Sequence, residues 1–339
     1  MTKKTRKLEK RKKTKKSEKI VKSKKMRKKE KKEKKEKMRK KEKKEKKEKK
    51  EKKENFEFKK LSCTPTRKNK KGSYSCYSEN SLHHLKKMWN LRHPDDPINA
   101  GDAREIWKNL KENMRGVCSE EACWMRQEFT KNNITPEMLH YTFMPTAPES
   151  WKKNKNTWLT STDISRVMLQ YEHKYPHFAF IGPSPIDFNS TKYNNTCVWD
   201  DLCKFDLEKH LKQGKTKIGV IFNLDEHWEG GSHWVALFID CDKKIIFYFD
   251  STGDSIPKQI KTFVERVEKQ GEELKHPIKF KYDDSKNVEH QLKNTECGVY
   301  CLHFITTILR NKKTFNDFKH KLVHDDKIEK CRNYFFNIL

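Results

Sequence analysis

Residues 291–309 read QLKNTECGVYCLHFITTIL, and within this stretch one cysteine stands where a loop turns into a helix with an apolar face. After Gly298 the apolar residues Cys301, Leu302, Ile305, Ile308 and Leu309 recur at steps of three and four, the stripe of a helix laid on a core. Cys297 therefore falls in the first turn of that helix. Unpaired amide hydrogens and the positive end of the helix dipole favour a thiolate there, and the thiolate is the nucleophilic form. Taken alone, such a residue is ordinarily a buried structural cysteine. The rest of the chain decides between the two readings.

Immediately upstream lies a run of strand patterns. Residues 217–224 (KIGVIFNL) are continuously apolar, as in a strand covered on both faces, and WVALFID (234–240) and KIIFYFD (244–250) follow. A hairpin with its turn centred on Cys241 and Asp242 pairs Asp240 with Lys243 and, carried outward, His233 with Asp250. Their Cβ atoms would then be roughly 5 Å apart, a spacing at which a carboxylate can hold an imidazole. A slip of one residue would send the aspartate to the other face.

A nucleophilic thiol needs a base, and the base needs a partner that fixes its tautomer and stabilises the imidazolium. Cys297, His233 and Asp250 supply all three types at the ends of regular elements. Acyl transfer also needs donors for the developing oxyanion. The Cys297 amide is one candidate and Gln291, six residues earlier, is another. His227, beside Trp228, competes for the role of base, but it sits in the loop EHWEGGS rather than at a strand mouth. Singly, His233 reads as a loop histidine, Asp250 as a turn acid and Gln291 as surface; their joint arrangement makes the catalytic reading the stronger one.

Further out, 339 residues suffice for one large domain or two modest ones. The formal net charge of +30 is mostly a property of residues 1–54, where 33 Lys and Arg face 10 Glu; the other 285 residues carry 45 basic and 38 acidic side chains, net +7. This Lys/Glu low-complexity arm, with repeated KKE, has almost nothing to bury and is expected to be solvated and at most transiently helical. It suits attachment to nucleic acid or another polyanion, or nuclear import, and equally a solubilising tail; it lacks the aromatic residues that stack on bases. Residues 55–81 read as a linker and 82–150 as a small helical region, with helices near 84–91, 102–114 and 120–129 and a fourth begun by Thr135 and Pro136. Residues 151–339 form the main α+β domain, with central strands flanked by helices, a helix over 257–269 and helix again over 317–339.

Ten cysteines at irregular spacings, with no CxxC pair and no secretory segment, predict neither a disulfide framework nor a zinc site, and a soluble protein in an intracellular, reducing setting is the expectation. Cys118 and Cys123 are expected to pack in a core. No apolar run approaches the roughly 20 residues that cross a bilayer. No metal or cofactor is expected.

In order along the chain, SHWVALFID, FYFDS and QLKNTECGVYC resemble the His, Asp, Gln and Cys motifs of the adenain-like and ubiquitin-like-protein (SUMO-type) cysteine proteases over residues 156–309. The resemblance implies a papain-like fold with a central mixed sheet, and a site with His233 as base, Asp250 as its orienter, Gln291 in the oxyanion hole and Cys297 as nucleophile. It also implies that Trp234 and Trp158, the latter in TWLTSTDI, flank the substrate channel. The helical region with CSEEACWMRQEF and the loop FIGPSPIDF resemble eukaryotic SUMO proteases less than the processing proteases of large cytoplasmic DNA viruses, which cut virion core polyproteins after small-residue sites such as Gly-Gly or Ala-Gly. That would place the protein in the virion or the host cytoplasm. The insertion EHWEGG before His233 and the basic arm depart from the family pattern. The expected function is a thiol endopeptidase acting on protein substrates. The alternatives are a deconjugase of ubiquitin-like modifiers and an inactive, nucleic-acid-binding virion protein.

Overall fold

The computed structural model describes residues 37–41, 58–67, 73–192 and 195–338. The basic arm lies outside them apart from 37–41, which are helical. The chain divides into two compact units, Met1–Lys59 with Lys111–Ser119, and Lys60–Leu110 with Glu120–Leu339. In the first, the Lys59 amide donates to the Ser119 carbonyl at 2.7 Å and the Lys111 ammonium stands 4.8 Å from the Phe58 ring centroid.

Before the sheet come helices α1 (Glu79–Arg92), α2 (Ala103–Asn113) and α3 (Pro136–Tyr141). The Thr135 hydroxyl caps α3 by accepting the Met138 amide, with Pro136 at the first helical position. The helix expected over 120–129 is instead two 3-10 turns, Glu121–Arg126 and Glu128–Thr130. The Thr130 hydroxyl donates to the Trp124 and Gln127 carbonyls and so competes with a continuous helical ladder.

Next come α4 (Ser161–Lys174), β1 (Phe178–Pro185), α5 (Asp200–Cys203), α6 (Leu207–Lys212), β2 (Lys217–Asn223), β3 (Trp234–Asp240) and β4 (Ile245–Phe249). The chain closes with α7 (Lys258–Glu272), β5 (Lys281–Asp284), α8 (Cys297–Leu309), α9 (Phe315–His320) and α10 (Asp325–Phe335). The last two replace the single closing helix. The strands lie in the order β1-β2-β3-β4-β5, parallel at both outer pairs and antiparallel at the two inner ones. Alternation along β3 sends Trp234, Ala236 and Phe238 to the core around α8, and Val235, Leu237 and Ile239 to the core around α7.

The β3–β4 hairpin differs from the expected register by two residues. Asp240 faces Ile245 across a four-residue turn, Cys241 to Lys244. Lys244 takes the left-handed conformation (φ 56°) and the Lys243 amide donates to the Asp240 carboxylate. A two-residue turn needs residues that adopt positive φ, and Cys-Asp does not supply them. By extension of this register, Asp250 lies across from Val235 and His233 from Thr252. Because side chains alternate with a period of two, a slip of two leaves His233 and Asp250 on one face as diagonal neighbours.

Two further expectations change. The described part of 55–81 is not a free linker: Leu61, Cys76 and Tyr77 are buried, and the Asn337 side chain bonds both the amide and the carbonyl of Ser62. Six of the ten cysteines, Cys118 and Cys123 among them, are in disulfides, which include Cys63–Cys76 and Cys197–Cys203. Cysteine spacing carries no pairing information once loops fold back. No helix among the described residues is long and apolar enough to cross a membrane.

Candidate active site

Helix α8 begins at Cys297 itself, with Glu296 as N-cap. Every residue from Cys297 to Leu309 is buried, so in place of the amphipathic stripe expected from the sequence stands a helix covered on all sides, threaded between the sheet and the closing helices. Cys297 is 1% exposed. Its amide, at the first helical position, has no intrahelical carbonyl to bond. The next residue must be small: a Cβ on Gly298 would stand 3.2 Å from Leu159 Cβ and 3.3 Å from Trp234 Cδ1.

His233 ends the loop that enters β3, and Asp250 immediately follows β4. The His233 Nε2–H donates to Asp250 Oδ1 at 2.7 Å, and the ring lies beside Cys297. Asp250 is 1% exposed, and its Oδ1 accepts in addition the amide and hydroxyl of Thr252 at 3.0 and 2.8 Å. The Ser285 hydroxyl anchors its backbone by accepting the Asp250 amide and donating to the Asp250 carbonyl. Burial opposes a charge on His233. The Asp250 carboxylate that accepts from the ring and the Cys297 sulfur beside it outweigh burial and push the imidazole up to about 10.

Gln291 is buried, and its Oε1 accepts the Ser251 hydroxyl at 2.8 Å. The Ser251 carbonyl also accepts the amides of His290 and Gln291. One Nε2–H of Gln291 goes to the Lys293 carbonyl, and an amide NH2 has a second to give. Ser251 holds Gln291 in place and is not singled out by the sequence. It stood in the quoted FYFDS motif, directly after Asp250, and nothing local showed that its hydroxyl would reach 40 residues ahead.

Trp234 and Trp158 share one cleft of about 560 Å³, lined also by Trp199, His227, Pro183 and Pro185. The Trp234 indole N–H donates to the Leu159 carbonyl at 3.0 Å, which joins the two segments, and Trp158 stays 40% exposed. His227, the competing base, is engaged elsewhere: Nδ1 bonds Asp187 Oδ2 at 2.6 Å and its amide donates to the same carboxylate. Asp187 thereby clamps the EHWEGG insertion as a wall of the cleft.

The remaining free thiols are unlike Cys297 in their surroundings. Cys301 is fully buried, its thiol donates to the Trp234 carbonyl, and burial pushes it far up. Burial pushes Cys241 up to about 12 and raises Cys331 as well. Among the described residues no group of three or more His, Cys, Asp or Glu is placed to hold a metal ion.

The family model described as "Ulp1 protease family, C-terminal catalytic domain" matches residues 156–337. A protein of Acanthamoeba polyphaga mimivirus, provisionally named a thiol protease, is 28% identical over 291 residues, 81% of this chain and 92% of that relative. A cysteine protease of African swine fever virus is 31% identical over 196 residues, 55% of this chain and 70% of the relative. The crystal structure of an ASFV protease superposes with a TM-score of 0.56 at 23% identity, over 84% of this chain and 99% of that one, a likeness of fold.

Proposed function

The chain belongs to the Ulp1 protease family and is a cysteine protease of papain-like fold; from that premise we propose that it is an endopeptidase cutting after small residues at Gly-Gly or Ala-Gly sites, as in the processing of viral structural polyproteins. In this reading Cys297 attacks the peptide carbonyl as a thiolate. The His233 imidazolium gives its proton to the leaving amine, and the neutral ring then takes a proton from the water that hydrolyses the acyl-enzyme. Asp250 holds the ring. The Cys297 amide and the second Nε2–H of Gln291 are the donors for the oxyanion.

The observation that supports glycine selection is the wall beside the nucleophile. Trp234 follows His233 directly, leaves little room for a Cβ at Gly298 and is tied to the Trp158–Leu159 segment, so a bulky side chain at the cut would meet indole rings. The viral relatives support the setting. A second reading, removal of a ubiquitin-like modifier, is favoured by African swine fever virus relatives that carry the name SUMO-1 cysteine protease. The chemistry is shared and the docking surface differs. Short Gly-Gly peptides should be cut at a rate that attaching folded SUMO or ubiquitin does not raise. Turnover only of the folded conjugates would replace the endopeptidase reading with the second one.

The arm adds a polyanion-binding function to the same reading, on the strength of the +23 charge of residues 1–54. Deleting those residues is expected to abolish salt-sensitive DNA binding, measured as the slope of log affinity against log salt, and to spare peptide cleavage. DNA affinity unchanged by the deletion would sink this part.

A further inference from the structure

The turn that carries Cys297 is held from behind by an ion pair. Glu296, the N-cap of α8, makes no capping bond with its side chain, which turns instead into the core. There it meets Arg332 of α10, 36 positions away in sequence; the two are 0% and 3% exposed. Arg332 Nε donates to Glu296 Oε2 at 2.8 Å and Nη2 to Oε1 at 2.7 Å, a two-pronged contact. The guanidinium also bonds the residue before Glu296 and one further segment: Nη2 donates to the Thr295 carbonyl at 3.2 Å and Nη1 to the Thr157 carbonyl at 2.9 Å. Its planar face lies over Trp151, 4.7 Å from the ring centroid.

These partners bracket the site. Thr295 and Glu296 run directly into Cys297. Thr157 runs directly into Trp158 and Leu159, whose carbonyl holds Trp234 and whose side chain meets Gly298. Seven residues earlier on the same face of α10, Asp325 Oδ2 accepts the amides of Leu292 and Lys293, and Oδ1 accepts the Tyr300 hydroxyl. One helix therefore grips the Gln291 end and the Cys297 end of a single loop.

A buried ion pair adds little net stability over apolar residues of the same volume. What a guanidinium supplies that an apolar side chain cannot is five donors in one fixed plane. It also neutralises a carboxylate that would otherwise repel a thiolate on the neighbouring residue. We infer that Arg332 is a positioning residue for the nucleophile: its fork fixes the Cys297 turn against the Thr157–Leu159 wall and thereby sets turnover. This rests on Cys297 being the nucleophile.

The test is Arg332→Lys, which keeps a positive charge opposite Glu296 but cannot bond Glu296, Thr295 and Thr157 together. The folded variant, checked by circular dichroism and a cooperative melt, is expected to lose kcat on a fluorogenic Gly-Gly peptide amide by about tenfold or more, with KM changed by less than about threefold. Alkylation of Cys297 by iodoacetamide at neutral pH should slow in parallel. The double variant Arg332→Met with Glu296→Met, which removes both charges, is expected to fold and show the same loss of kcat, and it carries the test if the lysine variant does not fold. Wild-type kcat, or a loss confined to KM, in a folded variant overturns the inference. Rapid alkylation of Cys297 in wild type and variants alike does so while leaving the nucleophile in place. Absence of Cys297 alkylation in wild type removes the nucleophile and the inference together.

Discussion

Replacing Cys297 with alanine is expected to lower peptide cleavage by about 10⁴-fold or more, the scale on which covalent catalysts respond to loss of a nucleophile, and Cys301→Ala is expected to keep full turnover. Four free thiols are present among the described residues, and the structure separates them. Among them Cys297 is the one beside an imidazole that a carboxylate holds in place. Cys301, one turn along the same helix, donates to the Trp234 carbonyl in a fully buried setting that keeps it a thiol, and burial does the same for Cys241 and Cys331. A Gly-Gly electrophilic probe should thus label wild type and not Cys297→Ala, read by intact mass. Equal labelling of the two would take Cys297 out of its role. Cys297→Ser is the sharper comparison, since it changes one atom and leaves packing intact. It too should fall by about 10³-fold or more, because a hydroxyl beside an imidazolium is not ionised.

The parts of this site that could be read along the chain are those set by local periodicity. Alternation in SHWVALFID and IIFYFD put His233 and Asp250 on one face, and that survived an error of two in the register because the period of a strand is two. The helical start at Cys297 followed from the loop-to-stripe boundary. The all-round burial of α8 did not, since His303, Thr306 and Thr307 look solvent-facing until the elements that cover them are known. The hairpin turn was misread because a left-handed lysine has no signature, and the disulfides because loop closure is non-local. The same holds for Ser251 on Gln291 and for Asp325 and Arg332 on the loop from Gln291 to Cys297, contacts that join segments 32 to 40 residues apart. Local pattern picked out the candidate groups, while the residues packed around them could be found only once the chain had folded back on itself.

Asp250 does two separable things, and two substitutions should separate them. Its carboxylate accepts the His233 Nε2–H, which leaves the other ring nitrogen for the thiol, and its charge is among the reasons the imidazole is pushed up to about 10. Asparagine can still accept from Nε2–H but carries no charge, and Cys-His-Asn sites are chemically competent. Asp250→Asn is therefore expected to lose about tenfold in kcat, with the alkaline limb of kcat/KM, near pH 10 in wild type, moving down by about 1–3 pH units. The direction follows from the balance at His233: burial alone lowers the imidazole, and removing a negative partner leaves less to oppose it. Alanine removes the acceptor as well, freeing the ring to turn and leaving the Thr252 amide without its acceptor, and should cost about 10²–10³-fold. The charge also enters stability. A histidine whose pKa is raised on folding contributes stability that is present below its unfolded value near 6.5 and is lost as pH rises through about 10. Thermal melts of wild type at pH 6 and pH 10 should differ by more than those of Asp250→Asn, whose His233 has less to lose. An alkaline limb that stays in place in Asp250→Asn would mean that the Asp250 charge does not hold the proton on His233, and the thiol alone would have to.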